Sequence, residues 1–441
     1  MPMKPRFTWT LNLFALSFMT SSALADDWPQ WRGPEAQGHA KVTSLPTSWS
    51  ETENVQWKTE IPGRGWSSPV ILGDQVWLTT AFEVEADPAE AEARLKENTG
   101  SQEVTVLKEV RLHVVGLDKA TGKIVHNVEA LTKAKPQWVH LSNSYASPTP
   151  VLEQGRVYAN FGAYGTACVN TKSGKLLWKN QELHVMHENG PGSCPILWED
   201  LLIVHMDGSD KQFVVALDKA TGKVVWQTDR SGELNKNPQL KKAYGTPLVT
   251  DLGTGPLLLS NAADWLYAYE PKTGKELWKM PYGRLGFSNV ARPITGHNMI
   301  YLATGFSKSQ LFALRTNGTK APEIAWTYKR NVPTAPSPIL VENLIYFVSD
   351  QGGLITCLDA KTGELVWKER AGGTKAWGSP MLAAGKLYFP DEDGSTLVLK
   401  PGKEYRLLAK NQLDGRLMAS AAAVDNSLFI RTDKALYRIG E

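Results

Sequence analysis

Aromatic side chains recur at one position of a repeated pattern, where they could stack on a flat ligand. In this pattern a small residue precedes Pro and an apolar strand, and a period of about 40–50 residues is typical of repeat proteins. Aromatic rings pack against planar groups and attract cations. Three residues before each Pro, or its equivalent, stand Trp66, Tyr145, Gly192, Tyr244, Val290, Ala335, Trp377 and Met418.

Basic side chains lie close to these positions in sequence. One interpretation is structural: the aromatic rings plug a channel, and the cations are solvated at its rim. The other is functional: a positive field and flat rings bind a planar or polyanionic ligand. The candidate ligand-binding residues are Arg64, Trp66, Tyr145, Lys241, Tyr244, Arg284, Trp377 and Arg416; His140, His187, Lys242, Arg292 and Lys375 lie nearby.

No catalytic or metal-binding motif stands out. The sequence lacks a G-x-S-x-G elbow, an H-E-x-x-H pair and a phosphate-binding loop, so catalytic residues remain unassigned. The run His187-Glu188-Asn189 has no second set of ligands at a diagnostic spacing, and its Gly and Pro neighbours favour a loop. The sequence therefore predicts no metal site.

The elements that must position these recurring aromatic side chains are β-hairpins. In residues 217–226, LDKATGKVVW, an apolar strand leads through a Gly turn into a second strand that carries Trp. Copies with the same order occur at 117–126, 169–178, 269–278, 314–326 and 358–367. A hairpin cannot bury both faces alone, so each Trp is expected to pack against the neighbouring copy. The predicted docking residues are Trp57, Trp178, Trp226, Trp278, Trp326 and Trp367.

The number of copies predicts an all-β, eight-bladed β-propeller over residues 54–441. Eight innermost strands begin after Pro69, Pro148, Pro195, Pro247, Pro293, Pro338 and Pro380 and near Ala421. The first outer strand, residues 55–61, precedes every innermost strand and has no blade of its own. We expect it to pair with residues 427–430 and 435–439 and so to close the ring.

The remaining segments predict an exported protein. Lys4, Arg6, an apolar run and Ala23-Leu24-Ala25 form a signal-peptide pattern over residues 1–25, which indicates the periplasm or the extracellular space. Residues 26–53 are expected to lie extended across the propeller, and a charged insertion at about 83–109 to overhang the channel mouth. No later segment has about 18 consecutive apolar residues, the length of a membrane span. A formal net charge of +3 argues against a nucleic-acid partner.

The hairpin repeats resemble the tryptophan-docking motif of the PQQ-like propeller family, where PQQ is pyrroloquinoline quinone. This resemblance covers nearly all of the chain after residue 25. The stretches DWPQWRGP, IPGRGWSSPV and HLSNSYASPTPV are similar to a secreted bacterial subgroup whose members mostly have no assigned function. The family contains both enzymes and scaffolds, so its fold alone implies no activity.

Two kinds of family member define the functional alternatives. Quinoprotein dehydrogenases bind PQQ and Ca²⁺ under a vicinal disulfide and use an Asp base, but this chain has no adjacent Cys pair and no matching acid. The scaffold BamB binds partner proteins without a cofactor and is a lipoprotein, whereas the residue directly after Ala25 here is Asp26 and not the Cys that lipidation needs. We expect a binding or scaffold module for protein partners or a small anionic ligand, with neither binding nor turnover of PQQ. A PQQ-dependent dehydrogenase acting on alcohols or sugars is the alternative.

Overall fold

The chain folds as a ring of eight four-stranded antiparallel sheets, which confirms the predicted β-propeller. The computed structural model describes residues 27–96, 103–283, 286–317, 320–350 and 353–440. The predicted signal peptide therefore lies outside the described residues. Within the described residues, no helix is both long and apolar enough to cross a membrane.

Each blade begins with a short innermost strand. The residue directly before this strand is Pro in seven of the eight blades and Ala421 in the eighth. Blades one to four comprise Val70–Leu72, Gln75–Glu85, Leu107–Asp118 and Ile124–Ala134; Val151–Glu153, Arg156–Asn160, Thr166–Asn170 and Leu176–Asn180; Ile196–Trp198, Leu201–Asp207, Gln212–Asp218 and Val224–Asp229; and Leu248–Asp251, Pro256–Asn261, Trp265–Tyr269 and Glu276–Pro281. Blades five to eight comprise Ile294–Gly296, Met299–Ala303, Leu311–Asn317 and Lys320–Tyr328; Ile339–Val341, Leu344–Val348, Leu354–Asp359 and Leu365–Arg370; Met381–Ala383, Lys386–Pro390, Ser395–Leu399 and Leu407–Gln412; and Ala422–Val424, Ser427–Arg431, Ala435–Ile439 and Val55–Glu60.

The first strand of the chain completes the last blade. Val55–Glu60 pairs antiparallel with Ala435–Ile439, with Thr59 opposite Leu436. The order of strands in this sheet places Val55–Glu60 outermost, so the predicted closure of the ring is confirmed. The predicted pairing with residues 427–430 was wrong, because both edges of Ser427–Arg431 are taken by Ala422–Val424 and Ala435–Ile439.

Most outer-strand Trp side chains contact the hairpin turn of the following blade. The Trp226 indole donates a hydrogen bond of 3.1 Å to the Pro271 carbonyl and packs over Gly274. Gly274 has φ +70°, and a Cβ there would collide with the indole, so the turn requires Gly. Equivalent indole-to-carbonyl bonds join Trp57 to Lys119, Trp178 to Lys219, Trp326 to Ala360 and Trp367 to Gly402.

Residues 27–53 contact the innermost strands on opposite sides of the ring. Trp28 exchanges two backbone hydrogen bonds of 2.8 Å with Ile71 in blade one. Further along, Gln37 Oε1 accepts a 3.2 Å bond from the Thr295 amide in blade five, which stands opposite blade one in the ring. Between them, the Trp31 indole donates to Ser420 Oγ at 3.3 Å, beside the channel. This segment therefore crosses one end of the channel.

Small secondary elements lie between the blade strands. In blade one, the helix Pro88–Leu95 begins after Asp87, whose side chain accepts a hydrogen bond from the Glu90 amide. Two two-stranded ribbons pair Val104–Thr105 with Val139–His140 and Gly286–Phe287 with Phe306–Ser307. The short 3₁₀ helices are Gly162–Tyr164 and Pro238–Leu240.

Candidate functional site

A cavity of about 690 Å³ lies at the centre of the ring, where the innermost strands begin. Every blade contributes the residue that stands three positions before its strand-entry Pro or the equivalent Ala421. These wall residues are Trp66, Ser147, Gly192, Tyr244, Val290, Ala335, Trp377 and Met418. A volume between about 300 and 1,000 Å³ is typical of small-molecule sites.

The prediction for blade two was wrong by two residues. The sequence offers Pro148 and Pro150, and the innermost strand begins at Val151, directly after the second of them. Ser147 therefore takes the wall position that the sequence assigned to Tyr145. Tyr145 is fully buried behind the wall, where its hydroxyl donates a 2.9 Å hydrogen bond to the Gln137 carbonyl.

Small polar residues form a hydrogen-bonded belt beneath these wall residues. The Ser68 amide donates to Thr149 Oγ1 at 2.9 Å, and the Thr149 amide donates to Cys194 Sγ at 3.2 Å. The same pattern continues to Thr246 and, from the Arg292 amide onward, through Ser337, Ser379 and Ser420 back to Ser68 Oγ at 3.0 Å. Between blades four and five the link is different, because the Arg292 side chain donates to the Pro247 carbonyl. Because each link joins neighbouring blades, the belt fixes the spacing of the cavity wall.

Two of the predicted cations are held by other partners and do not line the cavity. Arg64 donates to the Leu141 and Asn143 carbonyls at 2.5 and 2.8 Å. Arg416 pairs with Glu392 through two hydrogen bonds.

The other two predicted cations also fall outside the wall. Lys241 is partly exposed and is not among the lining residues. Arg284 lies outside the described residues. Of the eight candidates, the structure places Trp66, Tyr244 and Trp377 together at the cavity.

Trp377 is held by polar groups on two sides. Its indole donates a 2.7 Å hydrogen bond to Glu392 Oε2, and Lys375 Nζ lies 4.3 Å from the ring centroid. Glu392 also forms a salt bridge with Arg416. One carboxylate therefore contacts both Trp377 and Arg416, two of the eight candidate residues. An ammonium group over an aromatic face is attracted by the ring and keeps positive charge at the cavity rim.

Trp31, Phe287 and Phe306 line the cavity and were missed by the sequence analysis. His140 and Lys242 also line it, although the sequence placed them only near the eight candidates. The two Phe side chains face each other edge to face at 5.9 Å, on the ribbon described above. The repeat pattern did not identify these two Phe residues, because they lie between the repeated strands. Trp31 belongs to the segment that crosses the channel end, so it closes the cavity on that side.

Buried arginines add positive charge near this closed end. Arg292 donates to the Pro247 carbonyl at 2.6 Å and to the Trp31 carbonyl at 3.3 Å. Burial lowers its pKa to about 10, so the side chain is still charged at neutral pH. Arg32, whose pKa burial lowers to about 9, donates to the Pro338 carbonyl at 2.8 Å. Neither side chain has an acidic partner in the described part of the chain.

The lining residues do not fit a PQQ site with bound Ca²⁺. Calcium requires several oxygen ligands, usually including Asp or Glu carboxylates. No described residue that lines the cavity is Asp or Glu. Among the described residues there is also no group of three or more His, Cys, Asp or Glu that could hold a metal ion.

An eight-bladed propeller with a cavity on its axis is the class of protein that this fold and site define. A family model described as outer membrane protein assembly factor BamB matches residues 42–228, 210–347 and 338–432. Because these matches cover most of the sequence, the chain belongs to this family of PQQ-like β-propellers.

Similar proteins include both assembly factors and enzymes. Outer membrane protein assembly factor BamB of Legionella pneumophila is 26% identical over 205 residues, which are 44% of this chain and 50% of that protein. Tetrathionate hydrolase of Acidithiobacillus ferrooxidans is 21% identical over 290 residues, 62% of this chain and 53% of that protein. The chain thus aligns with about half the length of these relatives.

Solved structures give the same fold with low sequence identity. BamB of Moraxella catarrhalis superposes with a TM-score of 0.53 at 14% identity, covering 76% of this chain and all of that chain. A europium-containing methanol dehydrogenase gives a TM-score of 0.61 at 13% identity, covering 92% and 89%. Since BamB and a dehydrogenase share the fold, function must be argued from the site.

Proposed function

We propose that this protein is a binding module of the bacterial cell envelope whose central cavity holds a flat small molecule with negative charge. The observation that carries the proposal is the composition of the cavity wall. Trp66, Tyr244 and Trp377 supply aromatic surface, and the described lining residues include no carboxylate. Flat ligands stack on such rings, and an acid-free wall does not repel an anion.

The charge distribution supports a negative ligand group. Lys375 lies over Trp377 at the rim, and Arg292 and Arg32 lie buried near the closed end. Burial and the neighbouring Lys375 both lower the pKa of His140, so that imidazole is neutral at neutral pH. The attraction for an anion therefore comes from Lys and Arg and is expected to weaken as salt screens the exposed rim.

A matched pair of probes tests this proposal. The anion 2-naphthoate is expected to bind more tightly than neutral 2-naphthamide, because the two share one flat ring system and differ in charge. Trp377→Ala should weaken naphthoate binding about two- to tenfold, since one stacked aromatic contact contributes about 0.5–1.5 kcal/mol. Isothermal titration calorimetry measures both effects.

Trp265→Ala is the matched control for this experiment. Trp265 also carries a lysine over its ring, with Lys279 Nζ 5.6 Å from the centroid, but it does not line the cavity. The control should bind naphthoate like the wild type. Equal affinity for the acid and the amide, or equal loss in the two Trp variants, would contradict the proposal.

The relatives named BamB favour a second candidate, a scaffold for a protein partner. The rim offers apolar contact surface, since Phe306 lines the cavity and is 59% exposed. A scaffold that docks on the blade edges, away from the cavity, would keep its partner after Trp377→Ala. The effect of this substitution on partner binding therefore separates the two candidates.

A further inference from the structure

Lys242 is a buried amine in the cavity wall, and no carboxylate of the described residues forms a salt bridge with it. The residue is 1% exposed, and its Nζ donates a 2.6 Å hydrogen bond to Gln239 Oε1. Both residues line the cavity, so this contact lies at the wall. Gln239 belongs to the 3₁₀ helix Pro238–Leu240, where the Asn237 side chain accepts a hydrogen bond from its amide.

The surroundings of Lys242 favour the neutral amine. A charged ammonium has three N–H donors to satisfy, and Gln239 accepts one of them. Burial lowers the pKa of Lys242, against a smaller opposing effect of Glu188. The nearby His187 is buried with a pKa lowered to about 3, and neither of its ring nitrogens has a hydrogen-bond partner among the described residues, so it accepts no bond from the Lys242 amine. A desolvated lysine of this kind is a nucleophile.

Polar atoms without partners lie on the same wall. Ser288 Oγ and Asn189 Oδ1 are buried and have no hydrogen-bond partner among the described residues, and both residues line the cavity. The Ser288 amide donates a 2.7 Å bond to the Lys242 carbonyl, and Ser288 is held at φ +55°. Unsatisfied buried polar atoms are costly, and a polar ligand could satisfy both of them.

We propose that Lys242 captures an aromatic aldehyde or ketone with a carboxylate substituent as a reversible imine. This inference rests on the proposed function and specifies the reactive group of the ligand. The lone pair of Nζ attacks the carbonyl carbon and forms the C–N bond. The nitrogen then loses its two protons, and the carbonyl oxygen leaves as water, which gives a C=N bond without any net oxidation or reduction. Water entering the cavity reverses the reaction and releases the ligand.

Reductive trapping tests the inference. Wild-type protein is incubated with 6-formyl-2-naphthoate and sodium cyanoborohydride, which reduces the imine to a stable secondary amine. Peptide mapping by mass spectrometry should then place about one adduct per chain at Lys242, in preference to the exposed lysines. The isosteric 6-methyl-2-naphthoate has no carbonyl group and should suppress this adduct by competition.

Two lysine variants complete the test. Lys242→Met should lose the adduct, whereas Lys241→Met, which changes the partly exposed neighbour outside the wall, should keep it. If the methyl compound binds but wild-type Lys242 is not labelled, the imine is disproved and the proposed function stands. If the methyl compound does not bind, the proposed function fails as well. Labelling spread over surface lysines and insensitive to the competitor would also overturn the inference.

Discussion

Deletion of residues 27–61 is expected to abolish the cooperative unfolding of the propeller. The deletion removes the strand Val55–Glu60, which closes the ring against Ala435–Ile439. It also removes Trp28, Trp49 and Ile61 from the hydrophobic core shared with blades seven, eight and one. The remaining edge of blade eight would be open for pairing with other chains. Thermal unfolding followed by circular dichroism should show no sharp transition, with aggregation on heating.

A peripheral deletion provides the control. Replacement of residues 88–102 by a short Gly-Ser linker removes the helix Pro88–Leu95, which has no buried residue. This variant should retain a sharp transition near that of the parent. A 27–61 deletion that unfolds as cooperatively as the parent would show that the strand does not hold the ring together.

Trp226→Ala is expected to lower the free energy of unfolding by about 3–5 kcal/mol, the usual effect of removing a large buried aromatic. The indole is 9% exposed and packs in the cluster that contains Leu258, Tyr267 and Tyr269 of the next blade. Its loss leaves a cavity at the interface between blades three and four and removes a hydrogen bond to Pro271. Urea denaturation measures the change.

Trp377→Ala is the matched control for the effect of Trp226→Ala on stability. Its ring faces the axial cavity and is partly exposed, so its loss should change the free energy of unfolding by no more than about 1 kcal/mol. A decrease below about 1 kcal/mol for Trp226→Ala would mean that this indole contributes little to blade packing.

The architecture could be predicted from the sequence because its signals are local. In residues 217–226, one turn glycine and one Trp define a hairpin within ten residues, and the same order repeats along the chain. Ring closure followed from strand counting, since residues 55–61 had a strand pattern but no blade. Both predictions depend on short-range patterns that tertiary contacts do not alter.

The cavity could be predicted only in part because its contacts are long-range. The spacing of three residues before Pro located Trp66, Tyr244 and Trp377. In blade two the same spacing was counted from Pro148 instead of Pro150, so it indicated Tyr145 instead of Ser147. The salt bridge of Arg416 with Glu392 joins residues 24 positions apart, and the bond from Trp31 to Ser420 spans 389 positions. No sequence period encodes such pairs, so the sequence could not show which cations were already paired.

The most direct test of the central claim is native mass spectrometry of the protein purified from its own host. The proposed function predicts a wild-type species heavier than the polypeptide by the mass of one small molecule. The released molecule should show the ultraviolet absorption of an aromatic ring system. Added 2-naphthoate should displace this molecule, and Trp377→Ala protein from the same host should carry less of it. A wild-type spectrum that shows the bare polypeptide alone, unchanged when 2-naphthoate is added, would contradict the claim that the cavity binds a flat anionic molecule.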